Sequence, residues 1–253
     1  MDEVKNKPAE DVILQVEHLH KSYGEKEVIK DLSFEVKKGE LFGLLGKNGI
    51  GKSTTIDCII GAKAFNSGNI TIDGHDIVTD PLEAKAEFGY VSSEPNCYEE
   101  MTGIEYLDFI ASVFGVAEKD FENNVNYLSA RLGLDEKALG EAISGYSHGM
   151  KQKLCLIASL LHSPKLWILD EPTVGLDVMA VEELSKMMKE YSHNNGVLLT
   201  SHNIDLVARL CDKAVILNHG TIALSFDFRE DPNARLSLRP AFFALYGKKE
   251  ATE

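Results

Sequence analysis

The feature that most constrains this chain is an apolar run, LFGLL (41–45), that leads directly into the glycine-rich segment GKNGIGKST (46–54). The segment fits the pattern G-x-x-x-x-G-K-S, and the helical pattern TTIDCIIGA continues from its end. A strand, a glycine-rich loop and a helix in this order form a P-loop. We therefore predict a phosphate-binding loop made of Gly46, Lys47, Asn48, Gly49, Ile50, Gly51, Lys52, Ser53 and Thr54.

The residue types of this loop each have a chemical reason. Glycines let backbone N–H groups point inward around a β-phosphate, and the N-terminus of the following helix adds partial positive charge. Lys52 would bridge the β- and γ-phosphates, and the Ser53 hydroxyl would bind Mg²⁺. The alternative is a glycine-rich turn that contains a lysine by chance. The full pattern between a strand and a helix favours the phosphate site.

Two other apolar runs end in residues that suit phosphate chemistry. LWIL (166–169) is followed by Asp170 and Glu171, and LLTSHN ends another run at His202. Neighbouring parallel strands deliver their C-terminal residues to one edge, where open α/β sheets bind ligands. Asp170 would hold Mg²⁺, and Glu171 would polarise an attacking water. A lone histidine after a strand is usually a plain surface residue, so His202 gains its interest from this shared edge.

Two kinds of strand pattern predict the fold class. LSFEV (32–36) and NITIDG (69–74) alternate apolar and polar residues, which is typical of strands with one solvated face. LFGLL, LWIL, VLLT (197–200) and AVIL (214–217) are continuous apolar runs, as expected of parallel strands covered on both faces. We predict an α/β fold: a P-loop NTPase core with a mostly parallel sheet, an N-terminal antiparallel β part and an inserted helical subdomain.

The helical subdomain is predicted where the strand patterns stop, between about Glu94 and Pro164. TGIEYLDFIASVFG opens with a capping box, Thr102 to Glu105. Its spacing places five apolar residues on one face: Ile104, Leu107, Ile110, Ala111 and Phe114. NNVNYLSARLG and MKQKLCLIASLLH continue the helical block. Near the end of the chain, Pro240 precedes FFALY, which predicts a short helix that starts at Pro240 and packs on its own domain.

Composition limits the classes of partner. Asp and Glu number 40 against 26 Lys and Arg, a formal net charge of -14 over 253 residues, which disfavours nucleic acid as a partner. The cysteines are scattered without a C-x-x-C pair, which favours free thiols in a reducing compartment over a disulfide framework or zinc site. No segment has the apolar length to span a bilayer, and MDEVKNKPAE is unlike a secretory signal, so we expect a cytoplasmic protein.

Five segments in a fixed order carry a family resemblance: GKNGIGKST, GYSHGMKQK (145–153), LWILDEP (166–172), VGLD (174–177) and TSH (200–202). In this order they resemble the nucleotide-binding subunit of an ABC ATPase, over about residues 12–247. The resemblance implies ATP and Mg²⁺ as cofactors. It also implies one domain, 1–253, divided into an α/β core with the N-terminal β part (12–93 and 165–225), a helical subdomain (94–164) and a C-terminal tail (226–253).

GYSHGMKQK stands where the family has an L-S-G-G-Q signature at the start of a helix. Ser147 and Gly149 match that pattern, whereas Tyr146, His148 and Met150 depart from it. Independently of the family, Ser147 is a natural N-cap, and a helix N-terminus with small residues accepts a phosphate. The resemblance implies that this phosphate belongs to ATP on a partner subunit. His148 has no companion ligand nearby, so a solvated or hydrogen-bonded histidine is favoured over a metal site.

The resemblance assigns roles to four further positions. Tyr23 matches the aromatic residue that stacks on adenine, with simple packing as the alternative. Asp177 matches the loop that contacts the P-loop of the partner subunit. Lys47 stands where proline is common, a change that a loop working through its backbone tolerates. Ser93 replaces a glutamine that senses magnesium and water, and a serine would reach the metal only through a bridging water, which affects coupling more than ATP binding.

Together the resemblance implies an ATP-binding and ATP-hydrolysing subunit that drives transport through a separate integral membrane permease. Glu171 would act as general base, His202 would contact the γ-phosphate, and two subunits, identical or different, would close around two ATP molecules on the cytoplasmic face of the cell membrane. The pattern is most similar to the exporter branch of drug, bacteriocin and polysaccharide systems. Two alternatives stay open: a soluble ABC ATPase of a cytosolic assembly, and a nucleotide-gated scaffold that hardly hydrolyses ATP. The transported substrate is not predicted.

Overall fold

The structure is a computed structural model that describes residues 11–231 and 233–247. Residues 1–10, whose charge argued against a secretory signal, lie outside the described residues, as do residues 248–253 of the tail. The strands are β1 Val12–Tyr23, β2 Lys26–Lys37, β3 Glu40–Leu45, β4 Ser67–Ile72, β5 His75–Asp76, β6 Phe88–Val91, β7 Leu166–Asp170, β8 Gly196–Ser201, β9 Lys213–Asn218 and β10 Thr221–Asp227. The helices are α1 Lys52–Ile59, α2 Pro81–Ala86, α3 Gly103–Val113, α4 Glu118–Leu132, α5 Glu136–Leu139, α6 His148–Leu160, α7 Val178–Ser192, α8 Ile204–Leu210 and α9 Ala234–Tyr246.

All described strands lie in one sheet, in the order β5-β4-β1-β2-β10-β9-β3-β8-β7-β6. The strands β9, β3, β8, β7 and β6 are parallel to one another. At the other end, β1 pairs antiparallel with both β2 and β4. The α/β prediction, with a parallel sheet and an N-terminal antiparallel part, is therefore confirmed.

The continuous apolar runs became the buried centre of the sheet. Every residue of β3, β7 and β8 is buried. The buried apolar residues form two clusters, one that includes Trp167 and Leu199 and another that includes Ile168 and Leu198. Since successive side chains of a strand point to opposite faces, the two clusters lie on opposite faces of the sheet.

Between β6 and β7 the structure has only helical elements: α3, α4, α5, the 3₁₀ turn Ile143–Gly145 and α6. The capping box at the start of α3 is confirmed, because Thr102 accepts from the Glu105 N–H and the Glu105 side chain accepts from the Thr102 N–H. Leu107 and Ala111 are buried, but Phe114 is 38% exposed, so the predicted apolar face of α3 is covered only in part. The division of the chain at 94 and 164 stays a prediction.

The predicted helix start in the C-terminal tail is wrong, whereas the boundary of the tail at residue 226 stays a prediction. Strand β10 runs to Asp227, and α9 begins at Ala234 with Pro240 inside it. Leu238 and Phe242 are buried on either side of Pro240 and belong to the same apolar cluster. Their burial keeps the turn before Pro240 helical although proline supplies no N–H.

Strands β6 and β10 were not predicted. FGYV is only four residues long, which is short for a strand signal. TIALSFD does alternate Ile222, Leu224 and Phe226 with other residues, so its strand signal was overlooked. In the part of the chain that is described, no helix has both the length and the apolar character needed to cross a membrane.

Candidate active site

The loop between β3 and α1 has a backbone that needs glycine. Gly49 and Gly51 have φ angles of 78° and 118°, which side chains other than glycine rarely adopt. A Cβ atom on Gly46 would lie 2.6 Å from Cγ2 of Ile50. The loop therefore turns tightly enough to leave its N–H groups, and those at the start of α1, available to a phosphate.

Lys52, the first residue of α1, is folded back into this loop. Its side chain is 5% exposed, and Nζ donates to the Gly46 carbonyl at 2.8 Å and to the Lys47 carbonyl at 3.4 Å. Nζ also lies 3.4 Å from Oε1 of Glu171. The predicted phosphate-binding cation is thus held between the loop and the predicted general base.

Asp170 ends β7 and is 2% exposed. Its Oδ1 accepts a hydrogen bond from the hydroxyl of Thr200 on β8. Among the described residues, no cationic side chain lies within ion-pair distance of Asp170. A buried carboxylate without a charged partner is costly, so this residue fits a divalent cation such as Mg²⁺.

Glu171 has a strained backbone and a well-held side chain. Its φ is 49°, and its N–H donates to the Thr200 carbonyl and hydroxyl, each at 3.2 Å. Oε2 lies 2.9 Å from Nδ1 of His202 and accepts from Ser201 Oγ at 3.4 Å. Oε1 is buried and accepts no hydrogen bond from a described residue; Lys52 is at ion-pair distance without hydrogen-bond geometry. This oxygen faces the Lys52 ammonium and is closed to solvent in this structure.

Lys52, Glu171 and His202 line one cleft of about 460 Å³, a size suited to a nucleotide's phosphates and metal. The buried Asp170 is not among its lining residues. The structure brings together ten of the positions singled out in the sequence: Asn48, Gly49, Gly51, Lys52, Ser53, Thr54, Ser93, His148, Glu171 and His202. Glu94 and Val174 complete the lining. The sheet edge expected from parallel topology is therefore the floor of the cleft.

The start of α6 presents small and polar groups to solvent. Ser147 is exposed, and its Oγ accepts from the Met150 N–H at 3.2 Å, which confirms the predicted N-cap. Tyr146 does not fit a nucleotide contact through its side chain, because it is 6% exposed and its hydroxyl donates to the Ala138 carbonyl. Met150 is half-buried against the helical cluster. Ser147, His148 and Gly149 are thus the accessible part of the predicted signature.

The start of α6 packs on the loop that precedes α7. A Cβ on Gly149 would lie 2.7 Å from the Gly175 carbonyl oxygen, and a Cβ on Gly175 would lie 2.0 Å from the His148 ring. Asp177 caps α7 by accepting from the Ala180 N–H at 2.9 Å, and this hydrogen bond lowers the pKa of Asp177. The side chain of Asp177 remains 65% exposed, so it is free to contact a partner.

Tyr23 does not line the cleft. It ends β1 at 45% exposure, and the ammonium of Lys21 lies 4.5 Å from its ring centroid. The hairpin nevertheless leads to the P-loop, since the carbonyl of Val28 on β2 is 3.4 Å from the Cβ position of Gly51. Adenine stacking by Tyr23 stays a prediction.

Lys47, the departure from proline, contacts the last helix. Its Nζ donates to the Tyr246 carbonyl at 3.0 Å and lies 5.0 Å from the Tyr246 ring centroid. The Tyr246 hydroxyl donates to the carbonyl of Leu217 at the end of β9. Helix α9 therefore supports the P-loop from the side of the sheet.

Sequence reasoning missed two supporting residues. Thr200 connects Asp170 and Glu171, and Gln152 is fully buried on α6 with Nε2 donating to the Pro172 carbonyl at 3.3 Å. For Thr200 the signal available in the sequence was a polar residue inside an apolar strand, whereas Gln152 lies between Lys151 and Lys153 and gives no such signal. A polar residue inside an apolar strand needs a buried hydrogen-bond partner.

Comparison with known proteins supports the same conclusion. A family model described as ABC transporter matches residues 29–174. The linearmycin resistance ATP-binding protein LnrL of Bacillus subtilis is 38% identical over 209 residues, which cover 82% of this chain and 67% of that protein. The ABC-type transporter ATP-binding protein EcsA of the same organism is 34% identical over 211 residues, which cover 83% of this chain and 85% of that protein.

Two solved structures are similar over almost the whole chain. An ATP-binding subunit of an ABC transporter matches with a TM-score of 0.85 at 34% identity, covering 93% of this chain and 98% of that one. The protein cbiO1 from Clostridium perfringens, part of the ABC transporter complex cbiONQ, matches with a TM-score of 0.75 at 27% identity, covering 95% of this chain and 96% of that one. The cleft, the order of its residues and these matches agree that the chain belongs to the ABC transporter family of ATP-binding proteins and is an ATPase.

Proposed function

We propose that this ATPase drives substrate export through a separate integral membrane subunit, as one of two ATP-binding subunits that close around two ATP molecules. Three features support the proposal: the catalytic cleft, an exposed surface beside it that suits a second ATPase subunit, and an apolar groove that suits a membrane subunit. The groove is the observation on which the proposal mainly rests, because a loop of this chain connects the groove to the cleft.

Hydrolysis would depend on the groups around Glu171. Once Lys52 moves from Oε1 onto the bound phosphates, Oε1 would take a proton from the attacking water, while Oε2 stays paired with His202. Lys52 and the loop N–H groups would hold the phosphates and stabilise their charge. Ser53 and Asp170 would hold Mg²⁺, which neutralises phosphate charge when bound. Ser93 is half-buried and Glu94 is exposed, and both line the cleft. They would lie near the attacking water or the metal ion.

The proposed partner ATPase subunit would cover the exposed surface that carries Ser147 and Asp177. Beside these polar residues, Val174, Val178 and Met179 are 44%, 83% and 78% exposed. Large apolar side chains grouped at one place on a surface are typical of interaction sites. The N-terminus of α6, capped by Ser147, would then meet the γ-phosphate of the nucleotide on the partner.

The proposed permease site is a groove of about 380 Å³ between β6, α3 and α6. Phe88, Ile110 and Phe114 give it apolar walls, and Tyr98 and Phe109 are exposed near it, at 56% and 39%. An amphipathic cytoplasmic segment of a membrane subunit has the apolar face needed to fill such a groove.

The loop from Ser92 to Met101 connects this groove with the cleft. Ser92 and Asn96 line the groove, and Ser93 and Glu94 line the cleft. A segment seated in the groove would therefore contact the same short loop that meets the nucleotide. This arrangement gives the membrane subunit a direct physical route for responding to ATP.

Export is supported by the relative named for linearmycin resistance, since removal of a toxic compound from the cell is one route to resistance. A permease that receives this chain in its cytoplasmic segments would place it on the cytoplasmic face of the cell membrane. The substrate and the identity of the second ATPase subunit depend on that permease.

The test is a pull-down from detergent-solubilised membranes of the source cells, with Glu171→Gln as bait in MgATP. Removal of the general base should leave ATP binding intact and slow turnover by about 10²–10³-fold, so the closed state should persist. We expect a polytopic membrane protein in near-equal amount. Only soluble partners would contradict the transporter proposal and favour an ATPase of a cytosolic assembly.

A matched pair of surface variants tests the groove. Phe114→Ala in the Glu171→Gln background should lose most of the membrane partner while it binds ATP unchanged, because its ring forms a groove wall. Phe243→Ala removes an aromatic ring that is 55% exposed on α9, away from the groove, and should retain the partner. Equal recovery by both variants would exclude the groove as the docking site.

A further inference from the structure

Two of the cysteines, which the sequence gave no reason to pair, lie in contact. Sγ of Cys97, on the loop after β6, is 3.4 Å from Sγ of Cys155 on α6. A disulfide bond requires about 2.0 Å, so a small approach of the two atoms would suffice. The two residues are 58 positions apart in the chain, and both are half-buried rather than enclosed.

Backbone hydrogen bonds hold the loop beside α6. The Ser144 N–H donates to the Glu99 carbonyl at 3.1 Å, and the Ile143 N–H donates to the Met101 carbonyl at 2.9 Å. These bonds connect the loop to the segment that leads directly into α6. The contact between the two thiols is therefore built into the fold.

The environment separates the two thiols chemically. The hydrogen bond from Cys155 is the main cause that lowers the pKa of Cys97, and the Lys151 ammonium lowers it further against the opposing effects of burial and Glu99. The same hydrogen bond, together with burial, raises the pKa of Cys155. Since the thiolate is the reactive form, Cys97 is the nucleophile of the pair.

The other two cysteines provide an internal contrast. Cys58 and Cys211 are fully buried, and burial raises the pKa of Cys58 to about 11 and also raises that of Cys211. Buried thiols in apolar surroundings are inert. Cys155, in contrast, lines the groove between β6, α3 and α6, and its Sγ is 3.4 Å from Sγ of Cys97, so a small oxidant that enters the groove comes within reach of the pair.

We propose that Cys97 and Cys155 form a modification site at which a hydroperoxide produces a reversible intramolecular disulfide. The Cys97 thiolate attacks the peroxide, the O–O bond breaks, and the leaving alkoxide takes up the thiol proton to give an alcohol and a Cys97 sulfenic acid. The Cys155 sulfur then attacks the Cys97 sulfur, and the departing hydroxide leaves with the Cys155 proton as water. In total, two thiols and one hydroperoxide give one disulfide, one alcohol and one water.

The disulfide would restrict the loop that reaches the cleft. Ser93 and Glu94 lie between the end of β6 and Cys97, so a bond to α6 fixes both ends of their short segment. Loops that close over a site set many turnover rates, and a fixed loop slows them. Oxidation at this pair would therefore slow ATP hydrolysis without altering Lys52 or Glu171.

The test uses the full purified chain treated with hydrogen peroxide and then with a thiol reductant. Peptide mass spectrometry should find one cross-link, between Cys97 and Cys155, that disappears on reduction. The ATPase rate should fall at least about threefold on oxidation and recover on reduction. Cys97→Ser, which removes the nucleophile and no residue of the cleft, should keep its rate under peroxide.

A second variant tests the order of the two thiols. In Cys155→Ser, the Cys97 sulfenic acid has no resolving thiol and should be trapped by dimedone. Failure to form the cross-link, or preferential oxidation of Cys58 or Cys211, would overturn the site. If the cross-linked chain hydrolysed ATP as fast as the chain with two free thiols, the disulfide would have no control over turnover. Because the cross-link is measured without membranes or a permease, these outcomes are independent of the transporter proposal.

Discussion

At the scale of single residues, Thr200 supports the acidic pair Asp170 and Glu171 although it lies inside an apolar strand. Its hydroxyl donates to Asp170 and accepts from the Glu171 N–H. Thr200→Val keeps the shape and removes both hydrogen bonds. We expect a loss of about 1–3 kcal/mol in the free energy of unfolding, because a buried carboxylate loses its donor. We also expect ATP hydrolysis to require more Mg²⁺.

Urea unfolding and a magnesium titration of the ATPase rate measure these two effects. Thr200→Ser is the matched control, because it retains the hydroxyl and should stay close to the parent in both measurements. If Thr200→Val matched the parent as well, the hydroxyl would have no part in holding Asp170.

The main candidate site residues could be predicted from the sequence because their spacing along the chain is itself the signal. Gly46, Gly51, Lys52 and Ser53 lie within one loop and the start of one helix, so a short pattern contains their geometry. Thr200 belongs to a strand 30 residues after Asp170, and only strand pairing brings them together. No local pattern contains such a contact.

At the scale of elements, Gly175 fixes how the start of α6 meets the loop before α7. Its φ is 79°, and an added Cβ would lie 2.0 Å from the His148 ring. We expect Gly175→Ala to lower the free energy of unfolding by about 1–3 kcal/mol, since the new side chain adds backbone strain and a clash. Thermal or urea unfolding measures this change.

Two further variants separate strain from clash. Gly145→Ala changes a glycine whose Cβ position is open and whose φ is not positive, so it should be nearly neutral. His148→Ala in the Gly175→Ala background should recover part of the loss by removing the clash. No recovery would mean that the backbone angle alone accounts for the effect.

The elements that the sequence predicted well are those with one strong local signal. The apolar runs of β3, β7 and β8 and the capping box of α3 belong to this group. Helix α9 was placed too late because Pro240 is a common helix start, whereas burial of Leu238 and Phe242 against other elements keeps the earlier turns helical. Tertiary packing outweighed local preference there.

At the scale of the whole molecule, the proposed ATP-bound dimer can be tested by measuring the molar mass of the protein in solution. Glu171→Gln in MgATP should elute as a dimer by size exclusion with light scattering. A second substitution in that variant, Ser147→Arg, should keep the protein monomeric, because a bulky cation would occupy the place where α6 meets the phosphate bound to the partner subunit. Ser237→Arg, an exposed serine on α9, is the control and should still dimerise.

Because each chain is strongly acidic, the strength of dimerisation should also depend on the salt concentration. Each chain has a formal net charge of -14, so two chains repel each other before ATP joins them. Screening of this repulsion should make dimerisation stronger at moderate salt than at very low salt. A monomer at every salt concentration, with ATP bound, would contradict the proposed closure.

The sequence by itself determined the P-loop, the acidic pair at the end of β7, the α/β class and the family, because each depends on residue types at short or ordered spacings. Tertiary structure alone decided that Thr200 holds Asp170, that Tyr246 supports Lys47, that Tyr146 turns inward and that Cys97 meets Cys155. These contacts join residues on different elements, and in most of them the partners are far apart in the chain. Their distances are fixed by how strands and helices pack, which no local pattern of residues encodes.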